Sequence, residues 1–134
     1  MDYFYLAIGV FVIFMIYWVT VVIKFSRKKK MSEEKIKHFQ TLLKRILKSV
    51  SSKEKIVDLD KLYHKILLAL WYDGTFWEIL KTGPNEIWDI NKVWEIHKLR
   101  NNIVHDFDNH DEIFLKKKVT EYKKELEILL KNTQ

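Results

Sequence analysis

Apolar residues follow two different patterns along this chain. Residues 3–23 read YFYLAIGVFVIFMIYWVTVVI, a continuous run of 21 in which only Gly9 and Thr20 fall outside the apolar class and none is charged. A helix rises about 1.5 Å per residue, so such a run covers the roughly 30 Å hydrocarbon core of a bilayer. It predicts a single transmembrane helix, because a soluble core helix of this length carries a polar face and this one has none. A cleaved signal peptide fits poorly: no basic segment precedes the run, and no small-residue cleavage site follows it.

From residue 32 the apolar positions recur every three or four residues. Ser32, with Glu33 and Glu34 behind it, opens an amphipathic helix whose inner face is Ile36, Phe39, Leu43, Ile46, Leu47 and Val50. Ser51 and Ser52 interrupt it. A second helix spans residues 55–72 and carries Leu59, Leu62, Tyr63, Ile66, Leu67, Leu70 and Trp71; Asp73-Gly74 ends it, glycine accepting the left-handed cap. Thr75 and Glu78 have capping-box spacing and predict a short helix over 76–81, stopped by Thr82-Gly83-Pro84. A third long helix, 86–104, is apolar on several sides (Ile87, Ile90, Val93, Trp94, Ile96, Leu99, Ile103 and Val104), which predicts packing on two faces.

After a polar loop at 106–110, the last helix covers 111–130 and buries Phe114, Val119, Tyr122, Leu126 and Leu129. Trp71, Trp77, Trp88 and Trp94 fall at apolar helical positions and are expected to fill the core. No period-two alternation marks a strand. The predicted fold is all-α: an anchor at 1–23, a basic juxtamembrane segment at 24–31, and a bundle of about four main helices at 32–134.

Composition narrows the class. Among 134 residues there are no cysteines, three glycines and one proline, and 48% are apolar, which excludes disulfide-stapled, collagen-like and intrinsically disordered chains. Lys and Arg exceed Asp and Glu by 24 to 18, but Lys24, Arg27, Lys28, Lys29 and Lys30 account for most of this excess. Residues 31–134 hold 19 basic and 17 acidic side chains. The positive charge is therefore a collar beside the span. By the positive-inside rule it places the N-terminus outside and residues 24–134 in the cytoplasm. Tyr3 and Tyr5 then sit at the outer headgroups, Tyr17 and Trp18 at the inner ones. Membrane lipid is the first partner, through residues 3–23, and the collar attracts anionic headgroups at about 1 kcal/mol per basic residue. The span has no small-xxx-small pair and so no sign of close helix dimerisation.

The informative stretch for chemistry is His97-Lys98-Leu99-Arg100-Asn101-Asn102-Ile103-Val104-His105-Asp106. At about 100° per residue, His97, Arg100, Asn101 and His105 fall within an arc of roughly 140°. An arginine among apolar helix positions is costly without a partner. Together these groups suit phosphodiester cleavage without a metal: histidine moves protons near neutral pH, guanidinium stabilises a phosphorane-like transition state, and asparagine orients the imidazole or holds a phosphate oxygen.

At these residues the chain resembles the HEPN superfamily, small helical bundles of which many are metal-independent ribonucleases. The family motif of Arg, a polar residue, a short spacer and His is matched by Arg100-Asn101-x-x-x-His105. The likeness covers about residues 32–130, but its specific part is about a dozen residues. It implies a homodimer with two motifs facing across a composite cleft, an RNA substrate and no cofactor. The layout is also similar to small membrane-anchored bacterial proteins in which a span precedes a helical domain with a motif of the AHKLRN-x-x-VH type, matched here by residues 94–106. In many HEPN-like domains the motif serves only as scaffolding.

Other signals are weaker. His105-Asp106 is an HD dipeptide without the supporting ligands of HD phosphohydrolases, and the Asp106-x-Asp108-x-His110 loop lacks the glycine and glutamate of a calcium loop. No further spacing supports a transition metal at His105 and His110, and no Walker motif, GxGxxG or nucleophile elbow is present. Lys116, Lys117, Lys118, Lys123 and Lys124 form a basic stripe, either a solvated face or, with Lys116, Lys117 and Lys118 foremost, phosphate contacts for RNA.

Two functions therefore fit. One is a membrane-tethered endoribonuclease of toxin or defence type, with Arg100 stabilising the transition state, His105 as acid/base, and Asn101 and His97 in support. The other is a non-enzymatic helical interaction module, in which Arg100 pairs with Asp106 or another carboxylate while Asn101 and His105 cap the helix end.

Overall fold

The structure, a computed structural model, describes residues 2–26, 28–105 and 110–134, among which lie six helices and no strand. Helix α1 (Asp2–Ser26) contains the apolar run. Its segment Tyr3–Lys24 is long and apolar enough to cross a membrane, and none of its most apolar stretch is buried in the rest of the protein.

The bundle is built on α3 (Ser52–Ala69), which packs against α2 (Glu33–Leu47), α5 (Ile90–Val104) and α6 (Glu112–Asn132). From α3, Ile56, Leu59, Tyr63, Ile66, Leu67 and Leu70 are completely enclosed; Val93 and Ile96 meet them from α5, and Leu115, Tyr122, Leu126 and Leu129 from α6. Burying each such side chain is worth about 1.5–3 kcal/mol. The short α4 (Phe76–Lys81) adds Phe76, Ile79 and Leu80. The predicted capping box is present: the Glu78 N–H donates to Thr75 Oγ1 at 3.3 Å, and the Thr75 N–H to Glu78 Oε2 at 2.7 Å.

The bundle has two distinct ends. Near α1, the Met31 N–H donates to the Thr133 carbonyl at 2.8 Å. At the far end, Ser52 Oγ donates to Glu112 Oε1 at 2.6 Å, between the starts of α3 and α6. Hence α2 and α5 run away from the α1 end, and α3 and α6 run back toward it.

Several boundaries differ from the sequence pattern, each for a local reason. Helix α3 begins at Ser52 because Ser51 caps it, its side chain accepting from the Glu54 N–H. Helix α5 begins at Ile90 rather than 86. Asp89 is its cap, accepting from the Lys92 N–H at 3.0 Å. Glu86, wholly buried, is held in a turn: its carboxylate accepts from the Lys29 backbone N–H and, at 2.7 Å, from the Tyr72 hydroxyl, while its carbonyl accepts from Asn132 Nδ2 at 2.9 Å. The buried face of α6 turns to Leu115, Lys118, Tyr122, Glu125, Leu126, Leu129 and Leu130, leaving Phe114 exposed and Val119 half-buried. Val50 and Val104, read as apolar face positions, are also exposed. Residues 106–109 of the polar loop lie outside the described residues.

The tryptophans correct the sequence reading most clearly. Trp71 is 82% exposed and Trp88 76%; Trp77 is also exposed, and Trp94 is half-buried. The left-handed cap of α3 falls on Trp71 (φ +65°), not on Gly74. The Trp71 N–H donates to the Leu68 carbonyl and the Tyr72 N–H to the Leu67 carbonyl, the Schellman pattern in which glycine is usual. A side chain in this conformation costs roughly 1–2 kcal/mol. Trp71→Gly should therefore stabilise the fold by about 1 kcal/mol, read as a higher urea midpoint of the detergent-solubilised chain; a lower midpoint would mean that the ring contributes packing beyond its strain.

Candidate functional site

Asp60 occupies the apolar face of α3, one turn after Ile56 and three residues before Tyr63, and is only 4% exposed. Three side chains converge on it. His97 Nδ1, from the middle of α5, lies 3.0 Å from Oδ1 and 3.2 Å from Oδ2. The Tyr122 hydroxyl, from α6, donates to Oδ1 at 2.8 Å. Arg100 Nε lies 3.7 Å from Oδ2, an ion pair too long for a hydrogen bond. A carboxylate only accepts, so the proton of the imidazole contact sits on Nδ1. Burial, reinforced by the Asp60 charge and opposed by Arg100, pushes the Tyr122 hydroxyl far above the ordinary tyrosine range and keeps it a donor. Tyr63 stacks on Tyr122 with ring centroids 5.7 Å apart, and burial raises its hydroxyl as well. The Tyr63 hydroxyl and Arg100 Nε are buried without a hydrogen-bond partner among the described residues.

The structure thus brings His97, Arg100 and Asn101 together and supplies the carboxylate that the sequence reading left unidentified. Arg100 Nη1 donates to Asn101 Oδ1 at 2.9 Å, and the Arg100 side chain remains 26% exposed. His97 is enclosed, its ring 4.8 Å from Phe76 and 6.3 Å from Trp94 between centroids. His105 lies at the end of the same helix. It is the exposed C-cap of α5, its backbone N–H bonded to the Asn101 carbonyl. The signal for Asp60 was present in the sequence as a charged residue inside an apolar stripe.

The same signal marks two further buried charges, both on α6. Lys118 reaches Glu95 Oε1 at 2.7 Å and Glu121 Oε2 at 2.8 Å, and these carboxylates outweigh burial to raise its ammonium. Of the three lysines proposed for phosphate, Lys118 is thus buried and bridged, whereas Lys116 and Lys117 are exposed. Glu125 lies 3.7 Å from Lys92, and burial pushes its carboxyl up.

Two open clefts flank the bundle. One, about 630 Å3, lies on the opposite face of α5 from Arg100 and is lined by Trp77, Trp94, Lys98 and Phe114 among others. The other, about 660 Å3, lies between α2 and α6. Neither is lined by His97, Arg100, Asn101 or His105. Among the described residues, no group of three or more His, Cys, Asp or Glu side chains is placed to hold a metal.

Compared with protein-family models, curated proteins and solved structures, the chain matches none of them. The HEPN-like resemblance read from residues 94–106 thus gains no support from them.

Two outcomes follow from these geometries. Asp60→Ala leaves a guanidinium and a phenol facing an apolar gap and should cost about 3–5 kcal/mol, whereas Tyr122→Phe should cost about 1–2 kcal/mol, both from urea unfolding. Glu125 has a folded pKa above its ordinary 4.5, so its ionisation opposes folding as pH rises through 4.5 and beyond. Glu125→Gln should therefore melt higher than the parent at pH 7, with the gap closing at pH 4; a gap that widens toward pH 4 would reverse the sign.

Proposed function

We propose that this chain is a single-pass, membrane-anchored helical interaction module, with α1 in the bilayer, the N-terminus outside and residues 24–134 on the cytoplasmic side. The anchor is supported by the exposed apolar surface of α1 and the basic residues that follow it. The observation that carries the non-enzymatic reading is the Asp60 cluster. His97 and Arg100, the polar groups that drew attention to α5, are turned onto a buried carboxylate that needs them. A guanidinium neutralised by a carboxylate presents little net charge to a phosphate. An imidazole packed between Phe76 and Trp94 has little access to substrate.

A second reading, a HEPN-like metal-independent endoribonuclease, is favoured by one specific observation. Arg100 stays partly exposed, with its Nη1 on Asn101, and His105 is exposed one turn further along α5. In that reading the RNA 2′-oxygen bonds to phosphorus as the bond to the 5′-oxygen breaks, and His105 takes the 2′-hydroxyl proton and returns one to the departing 5′-oxygen.

One pair of variants separates the two. In the module, Arg100→Ala lowers the melting temperature of the detergent-solubilised chain by several degrees, at roughly 4–8 °C per kcal/mol for a domain of this size, and the parent chain leaves RNA intact. Cleavage of RNA to 2′,3′-cyclic phosphate ends, abolished in His105→Ala, would establish the nuclease instead.

A further inference from the structure

The two most exposed aromatic side chains among the described residues of the bundle, Trp71 and Trp88, lie at its α1 end. Trp71 holds the left-handed position at the end of α3, where glycine is usual, and exposes 82% of its surface. Trp88, in the turn before α5, is 76% exposed. Large exposed rings, one of them on strained backbone, call for a role outside the fold.

The linker bounds their distance from α1. The Lys29 backbone N–H is bonded to Glu86, two residues from Trp88, and Lys29 Nζ lies 3.4 Å from the Trp71 carbonyl and 3.5 Å from the centre of the Tyr72 ring. Lys29 follows the last residue of α1 by only three positions, a reach of at most about 11 Å. The headgroup layer on each side of the hydrocarbon core is about 5–8 Å thick. The linker and the start of α2, which meet this end, are basic. Residues 28–37 contain five lysines against Glu33 and Glu34, and Lys35 Nζ stands 5.8 Å from the Trp71 ring. Amphipathic indoles beside ammonium groups are the pairing that interfacial anchors use.

We propose that the end of the bundle bearing Trp71 and Trp88 docks on the anionic headgroup layer of the bilayer that α1 crosses. The module then lies against the membrane, and the far end of the bundle, with His105, faces away from it. This inference rests on the membrane-spanning reading of α1.

The chain has no cysteine, so single-cysteine variants carry one nitroxide each. F11C, V50C, W71C and W88C of the full chain are placed in nanodiscs of phosphatidylcholine and phosphatidylserine, and collisions with oxygen and with a water-soluble nickel chelate are measured. Position 11 reports on the span, and position 50, at the far end of the bundle and 97% exposed, reports on water. Each tryptophan site is labelled with the other tryptophan intact. Docking predicts nickel collisions at 71 and 88 several-fold below those at 50, with oxygen collisions between those at 50 and 11. This protection should weaken in discs of phosphatidylcholine alone. Unchanged protection there would overturn the anionic preference. Values at 71 and 88 equal to those at 50, with position 11 in hydrocarbon, would overturn docking and leave the span standing. Shielding of 71 and 88 from both reagents would assign the surface to a second protein chain and overturn the proposal. A water-like position 11 would overturn the span itself.

Discussion

A single carboxylate on α3 is shared by an imidazole from α5 and a phenol from α6, with a guanidinium from α5 alongside. Taking a charge out of water costs several kcal/mol per ion, and such a cluster repays it only when every partner arrives in place. Three helices must therefore meet at one height. Their apolar stripes do not enforce this, since a helix slid by one turn, about 5.4 Å, presents a similar stripe of aliphatic side chains. The same slip would break the contacts of Asp60 with His97, Tyr122 and Arg100 together. The chief effect of the cluster is thus to select a register, with stability supplied by the apolar contacts around it.

The remaining buried charges extend that selection. Lys118 bridges to Glu95 and Glu125 to Lys92, so α5 and α6 are matched at two further levels along their length. Glu86 does the same at the α1 end, where its carboxylate receives the Lys29 backbone and the Tyr72 hydroxyl. The chain leaving α1 is consequently bound to the bundle within three residues of the helix end.

The helices themselves were legible in the sequence because their signals are local. Three- and four-residue spacing gave α2, α3 and α6 to within a few residues, the unbroken apolar run gave α1, and Thr75 with Glu78 gave the start of α4. What was hidden was every feature that depends on a distant partner. Glu86 looked helical because its neighbours are apolar, while the atoms that hold it in a turn come from Lys29, Tyr72 and Asn132. The buried face of α6 was misjudged because Lys118 was read as part of a basic surface stripe, whereas it is buried together with Glu125. Arg100 was correctly singled out as mismatched with its surroundings, yet its counter-charge lies forty residues earlier on another helix. The tryptophans failed for the converse reason, since hydrophobicity was taken to mean burial.

This exchange of charge inward and indole outward bears on what the molecule can do. For catalysis, the positive charge of Arg100 must be available to a developing phosphate charge, but Asp60 already sits beside its Nε. Only the Nη edge, shared with Asn101, faces the exposed side of α5. A phosphate would have to be met from that edge and from His105, with little net charge to draw it in. An interaction module makes no such demand. It needs a rigid bundle, which the buried charges enforce, and a fixed attitude toward its surroundings. Toward the second, Lys29 and Met31 are both bonded to the bundle, which keeps it within three residues of the end of α1.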